Sequence, residues 1–116
     1  MGNGEVFEYV GRPANLAEVP TAYAVYMVGE SMEPRYFAGE ILCVNPNKPV
    51  SRGDWVVVHI LADREGGDDQ YFVKRFVKRD ANSLVLEELS PKQKQLAFPS
   101  ERVVTVHRIV GTIDGA

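Results

Sequence analysis

Residues Gln70–Arg79 read QYFVKRFVKR. Aromatic and β-branched residues recur here with a two-residue period, which a strand satisfies and a helix does not. On that period Phe72, Lys74 and Phe76 point to one face, and Tyr71, Val73, Arg75 and Val77 to the other. One long cation therefore sits between two phenylalanines on a face that reads as buried. Arg75 meets a similar difficulty between two valines, so one face must be less buried than it reads. An arginine can reach water along its stem and keeps its charge. A desolvated lysine can instead give up its proton, because burial disfavours the charged form. A neutral amine is a general base, and serine–lysine pairs are one form of activated nucleophile. The strand pattern alone favours the plainer reading, a strand-edge lysine whose ammonium reaches water, since solvated lysines are the rule.

Outward from this strand the chain remains β-patterned. The run AYAVYMV, Ala22–Val28, is bounded by Pro20 and Gly29. EILCVN, Glu40–Asn45, follows the turn signal Ala38-Gly39, and DWVVVHIL, Asp54–Leu61, follows SRGD. SLVLEEL, Ser83–Leu89, follows Asp80–Asn82 and reads as the hairpin partner of Gln70–Arg79. The sequence closes with ERVVTVHRIVGTI, Glu101–Ile113, a long strand with Gly111 as a place to bend. No segment sustains a 3.6-residue apolar period, so long helices are not expected. The expected fold is a small, mainly β domain of coiled sheets with little helix. Residues 1–22 are weakly patterned and are expected to form an N-terminal arm or linker remnant, with one domain over 23–116.

The 116 residues suit one domain with a real core. Thirteen Lys and Arg against sixteen Asp and Glu give a net charge of −3, which argues against a nucleic-acid surface. Cys43 is the single cysteine, so no internal disulfide can form. No paired Cys/His spacing marks a metal site and no glycine-rich loop marks a phosphate cradle, so neither metal nor cofactor is expected. No continuous apolar run approaches a membrane span, and the N-terminus lacks the pattern of a signal peptide. A cytoplasmic location is expected.

The second informative stretch is VGESMEPRYFAGE, Val28–Glu40. It places Ser31 just after an apolar strand, with Gly29 before it and Pro34 after it. SMEP reads as a single helical turn with Ser31 as its N-cap. Such a turn aims backbone N–H groups at a nearby negative charge and can hold an oxyanion. On local features alone a plain capping serine is the favoured reading. The G-x-S-x-G elbow does not fit, because position 33 is Glu. His59 and His107 lie inside strand patterns, where a satisfied core or surface histidine is the ordinary role.

Taken together the two stretches are more specific than either alone. VGESMEPRYFAGEILCVNP, then RGDWVVV, then YFVKRF, resembles the self-cleaving C-terminal domain of LexA, UmuD and the lambdoid phage repressors. The resemblance runs from about Tyr23 to Ile113. The family pattern G-x-S-M-x-P is met by Gly29, Ser31, Met32 and Pro34, and its V-K-R strand by Val73, Lys74 and Arg75. Gly53-Asp54, opening a strand, also fits. The resemblance implies that Ser31 is the nucleophile, Lys74 the general base, and the backbone N–H groups of Glu30 and Ser31 the oxyanion donors. It implies a serine peptidase that cuts its own upstream segment within a transcriptional regulator, and stimulation by a RecA filament in an SOS response. It further implies a homodimer built on the C-terminal strand. The apolar run Val103–Val110 suits that role if it exposes an apolar face and an unpaired edge.

One departure stands out. These repressors cut at an Ala-Gly or Cys-Gly bond upstream of the serine, and neither dipeptide occurs between Met1 and Ser31. Two expectations follow. Either the chain is a fragment starting past the cleavage site, with DNA bound only through an N-terminal domain that this chain lacks, or it is a non-cleaving dimerisation and regulatory module with a vestigial dyad. Leader peptidases share the motif and the dyad but act at the membrane through N-terminal anchors. This chain shows no such anchor, and that reading ranks last.

Overall fold

A computed structural model describes residues 9–11 and 18–113. Eight strands form one antiparallel sheet: β1 Tyr9–Gly11, β2 Tyr23–Tyr26, β3 Ile41–Asn45, β4 Trp55–Ile60, β5 Gln70–Arg79, β6 Ser83–Glu88, β7 Lys94–Pro99 and β8 Val103–Ile113. Their spatial order is β1-β2-β3-β8-β4-β5-β6-β7. Among the described residues the helical content is one short 3-10 turn, Ser100–Arg102. The fold is therefore mainly β, as the alternating pattern leads one to expect. Within the segment expected to be an arm, β1 pairs with β2, while residues 1–8 and 12–17 lie outside the described residues.

The two-residue period sorts side chains into two cores, one on each face of the sheet. Val57 faces Val73 across the β4–β5 ladder and joins Val25, Met27, Met32, Tyr36, Leu42, Val44 and Ile109 in the first. Val56, Val58 and Ile60 point the other way and join Phe72, Leu84 and Leu86 in the second. A strand with apolar residues at successive positions, as in WVVVHI, can exist only when both of its faces are covered. Each fully buried aliphatic side chain contributes about 1.5–3 kcal/mol relative to exposure.

The β5–β6 register shifts between Phe76 and Lys78. That irregularity explains the awkward Arg75. Strict alternation fails beyond Phe76, so Val77 is buried while Arg75 stays half-exposed, its guanidinium 5.4 Å from the Trp55 ring centroid and 3.5 Å from Glu87.

The C-terminal strand corrects one expectation. β8 does not offer an unpaired edge: Arg108–Ile113 pair with β3 and Val103–Arg108 with β4. Eleven residues allow it to serve both neighbours in succession, and a register shift beside Gly111 accommodates the change of partner. Val103 and Val106 pack against the second core, whereas Val104 is 44% exposed and Val110 39%. The apolar run thus spends part of itself on the domain's own interior.

Candidate active site

Ser31 sits on a closed loop between β2 and β3. The ladder between these strands continues past their ends, with Met27 N–H donating to the Glu40 carbonyl (2.8 Å) and Gly39 N–H to the Met27 carbonyl (2.9 Å). Gly29 has φ = 94°, a conformation that only glycine adopts without strain, and it turns the chain out of β2. Met32 and Tyr36 are buried in the first core and anchor the loop from within. Arg35 lies over the Tyr36 ring at 4.2 Å from its centroid.

The helical turn expected at SMEP is instead a pair of turns, closed by Glu33 N–H to the Glu30 carbonyl (3.1 Å) and Tyr36 N–H to the Met32 carbonyl (3.0 Å). Pro34 has no N–H to give the Glu30 carbonyl, so a regular helical ladder cannot start here. The Ser31 carbonyl accepts two hydrogen bonds, from Leu89 N–H (2.8 Å) and Ser90 N–H (2.9 Å), which tie the loop to the end of β6.

Lys74 approaches from β5. Its residue is 2% exposed, and its Nζ lies 5.2 Å from the Phe72 ring centroid. The Nζ donates to Ser31 Oγ at 2.7 Å, across 43 residues of sequence. The two sequence-derived site residues are therefore in direct contact. Val73 is fully buried in the first core, which holds the strand in place on the opposite face. Gly53, the family-pattern glycine before β4, has φ = 92° and donates to the Phe76 carbonyl at 2.9 Å, extending the β4–β5 ladder that carries Lys74.

Glu88 is a site neighbour that the sequence reading did not find. Its Oε2 lies 3.6 Å from Lys74 Nζ, and its Oε1 lies 3.4 Å from Lys94 Nζ. A signal was present: Leu84, Leu86 and Glu88 alternate onto one face, which puts a carboxylate at the end of an apolar row. What the sequence lacked was the register. Arg75 pairs with Glu87 and Phe76 with Leu86. One further step along that register sets Glu88 opposite Lys74.

The histidines are engaged elsewhere. His59 Nε2 lies 2.8 Å from Asp69 Oδ2, and His107 Nδ1 2.8 Å from the Tyr23 hydroxyl. The hydrogen bond from His59 holds Asp69 below the usual carboxylate range, and burial lowers the pKa of His107. Both rings line a cavity of about 420 Å³ with Tyr23, Val57, Tyr71 and Thr105. This cavity belongs to the face of β4 and β5 away from Lys74, because Val57 and Tyr71 alternate with Val56 and Lys74. No cluster of three metal-binding side chains occurs among the described residues, and none of their helices is long and apolar enough to cross a membrane.

The site thus sets a loop-borne serine hydroxyl in hydrogen-bond contact with a buried lysine amine on an antiparallel sheet. The chain belongs to the Peptidase S24-like family, whose model matches residues 7–113. It is 49% identical over 110 residues to Repressor protein C of Rhizobium phage 16-3, covering 93% of this chain. It spans 41% of that relative's length. No solved structure matches the chain.

Proposed function

We propose that this chain is the C-terminal autopeptidase and dimerisation domain of a LexA-like or phage-repressor-like transcriptional regulator. The observation that carries the reading is the 2.7 Å contact between Lys74 Nζ and Ser31 Oγ inside a family of peptidase-like domains. The phage repressor among its relatives supports the regulatory setting.

In the proposed reaction Lys74, in its neutral form, takes the hydroxyl proton of Ser31 as Oγ attacks a peptide carbonyl carbon. The backbone N–H groups of Glu30 and Ser31 receive the developing oxyanion. Collapse of the tetrahedral intermediate breaks the peptide C–N bond, and the Lys74 ammonium returns its proton to the leaving amine. Water then hydrolyses the acyl-serine, with Lys74 again the base. The substrate is an upstream segment of the same protein. Tethering makes the attack intramolecular and replaces substrate affinity with a high effective concentration. A RecA filament is the proposed stimulus, and DNA binding is assigned to sequence outside this chain. Dimerisation through the exposed side of β8 would bring two DNA-binding units together on paired half-sites, and cleavage would sever them.

The test is incubation of the full-length protein across neutral to alkaline pH, with and without active RecA filaments, and analysis by intact mass. Cleavage upstream of the domain is expected, rising with pH and lost in Ser31→Ala and Lys74→Ala. An intact wild-type protein under all these conditions would overturn the peptidase reading in favour of a non-cleaving regulatory module. The missing Ala-Gly or Cys-Gly before Ser31 makes that the competing reading.

A further inference from the structure

We propose that Glu88 is a positioning residue for the Ser31–Lys74 pair: its carboxylate restrains the Lys74 amine beside Ser31 Oγ and sets the pH range over which the pair works. The inference rests on the peptidase reading and deepens it. Glu88 stands between two lysines, 3.6 Å from Lys74 Nζ and 3.4 Å from Lys94 Nζ, but the two are not equivalent. The Lys94 side chain is 56% exposed, and solvent screens its charge. Lys74 is 2% exposed, so its attraction to Glu88 is screened far less.

Glu30 and Glu33 lie on the turn that carries Ser31, and Glu33 is half-buried. On the opposite face of the hairpin, Arg75 and Glu87 pair with each other.

Two consequences follow from a carboxylate at this position. First, a carboxylate this close favours the ammonium form of the amine over the free base. Second, it stabilises the positive charge that appears on Lys74 when the amine takes the Ser31 proton, so each molecule that holds the free base reacts faster. The two effects oppose each other in the rate, and they act in different pH ranges. Below the midpoint of the profile the first prevails. On the alkaline plateau, where every lysine is neutral, only the second remains. Removing the charge should therefore make the pH–rate profiles of wild type and variant cross.

The experiment uses the full-length protein and an alkyl fluorophosphonate probe, which reports on Ser31 without requiring a cleavage site. Ser31 Oγ forms the new P–O bond, fluoride leaves with the electrons of the P–F bond, and Lys74 takes the hydroxyl proton. Labelling rates are read by intact mass across pH for wild type, Glu88→Gln, Lys94→Gln and Lys74→Ala.

Glu88→Gln is expected to move the midpoint of the profile down, as for loss of a nearby opposite charge. Its plateau should fall by about threefold, for a displacement shared evenly between the two effects. Lys94→Gln should move the midpoint slightly the other way. A Glu88→Gln profile that superimposes on wild type, or is scaled equally at every pH, would overturn the proposal, the latter being the mark of a merely structural role.

Wild-type protein that never labels, or labels equally well as Lys74→Ala, would instead refute the dyad itself. The proposal is then decided by side-chain 15N NMR of Lys74. If Glu88 acts on the amine, Lys74 keeps its proton to higher pH in wild type than in Glu88→Gln. Identical titrations would refute it.

Discussion

Lys74 Nζ and Ser31 Oγ are 2.7 Å apart, and the two residues reach each other from opposite directions. The lysine comes through a strand held by its partners on both sides. The serine comes on a loop pinned by Met32 and Tyr36 below and by Leu89 and Ser90 beside it. The contact depends on both supports, and changes to either should register in activity before they register in fold. Lys74→Met replaces a buried cation by an apolar chain of similar length. It should abolish cleavage while leaving the domain folded, because Glu88, which loses Lys74 as a partner, keeps Lys94 at 3.4 Å. Denaturant unfolding of this variant beside a cleavage assay checks both halves. A grossly unfolded Lys74→Met protein would show that the amine holds the domain together.

Gly29 offers a test of the loop itself. Its φ of 94° is strained for any residue with a Cβ. Gly29→Ala should cost about 1–2 kcal/mol and displace the serine that follows. The expected signature is a cleavage rate reduced more than the melting temperature would suggest. Unchanged cleavage in Gly29→Ala would mean that the Ser31 position does not depend on this turn.

Met32, next to Ser31 in the chain, is fully buried. Met32→Ala should destabilise the domain by about 2–5 kcal/mol through lost transfer energy and the cavity left behind. Met32→Leu, close in volume, should cost under about 1.5 kcal/mol. Urea unfolding midpoints at constant m-value distinguish these outcomes.

The Val104 and Val106 side chains separate assembly from folding. Val106 packs against the second core, whereas Val104 is exposed. Val106→Asp should destabilise the monomer by about 2–4 kcal/mol through an unpaired charge on the core. Val104→Asp should change monomer stability by less than about 0.5 kcal/mol. If the exposed side of β8 is the dimer surface, Val104→Asp weakens the dimer in sedimentation. A wild-type domain that stays monomeric at high micromolar concentration would remove the dimer from the proposal.

His107 predicts an acid-side loss of stability. Burial favours its neutral ring, so its pKa lies below the ordinary histidine value. In the unfolded chain the ring takes up a proton near pH 6.5, before the folded one does. Between that pH and the lower folded value the unfolded state binds more protons, so stability falls as pH drops. The contribution is fully present above about pH 6.5 and is lost as pH falls through the folded value. His107→Gln, which can still meet the Tyr23 hydroxyl, should flatten this slope in unfolding series at several pH values. An unchanged slope would assign the acid sensitivity to other groups.

Strand content was legible from the chain because a two-residue period is a local property. QYFVKRFVKR spans β5 as read, and the placement of Lys74 on the face of Phe72 follows from counting. The short strand β7, KQLAFP, was not read, because its residues are half-buried to exposed and carry no clean alternation. Ser31 and Lys74 stand out in the chain because the local patterns around them match those of a family.

Three matters were decided only by tertiary structure. Glu88 stands beside Lys74 because the β5–β6 register sets it there, and a one-residue slip would turn it to the other face. β8 is an interior strand because β3 and β4 share its length, which no pattern within Glu101–Ile113 encodes. The 2.7 Å contact itself joins groups 43 residues apart, and it exists because two cores, formed by residues from every part of the domain, fix the loop and the strand together. Periodicity is written along the chain, whereas register and strand order follow from burying all the apolar faces at once.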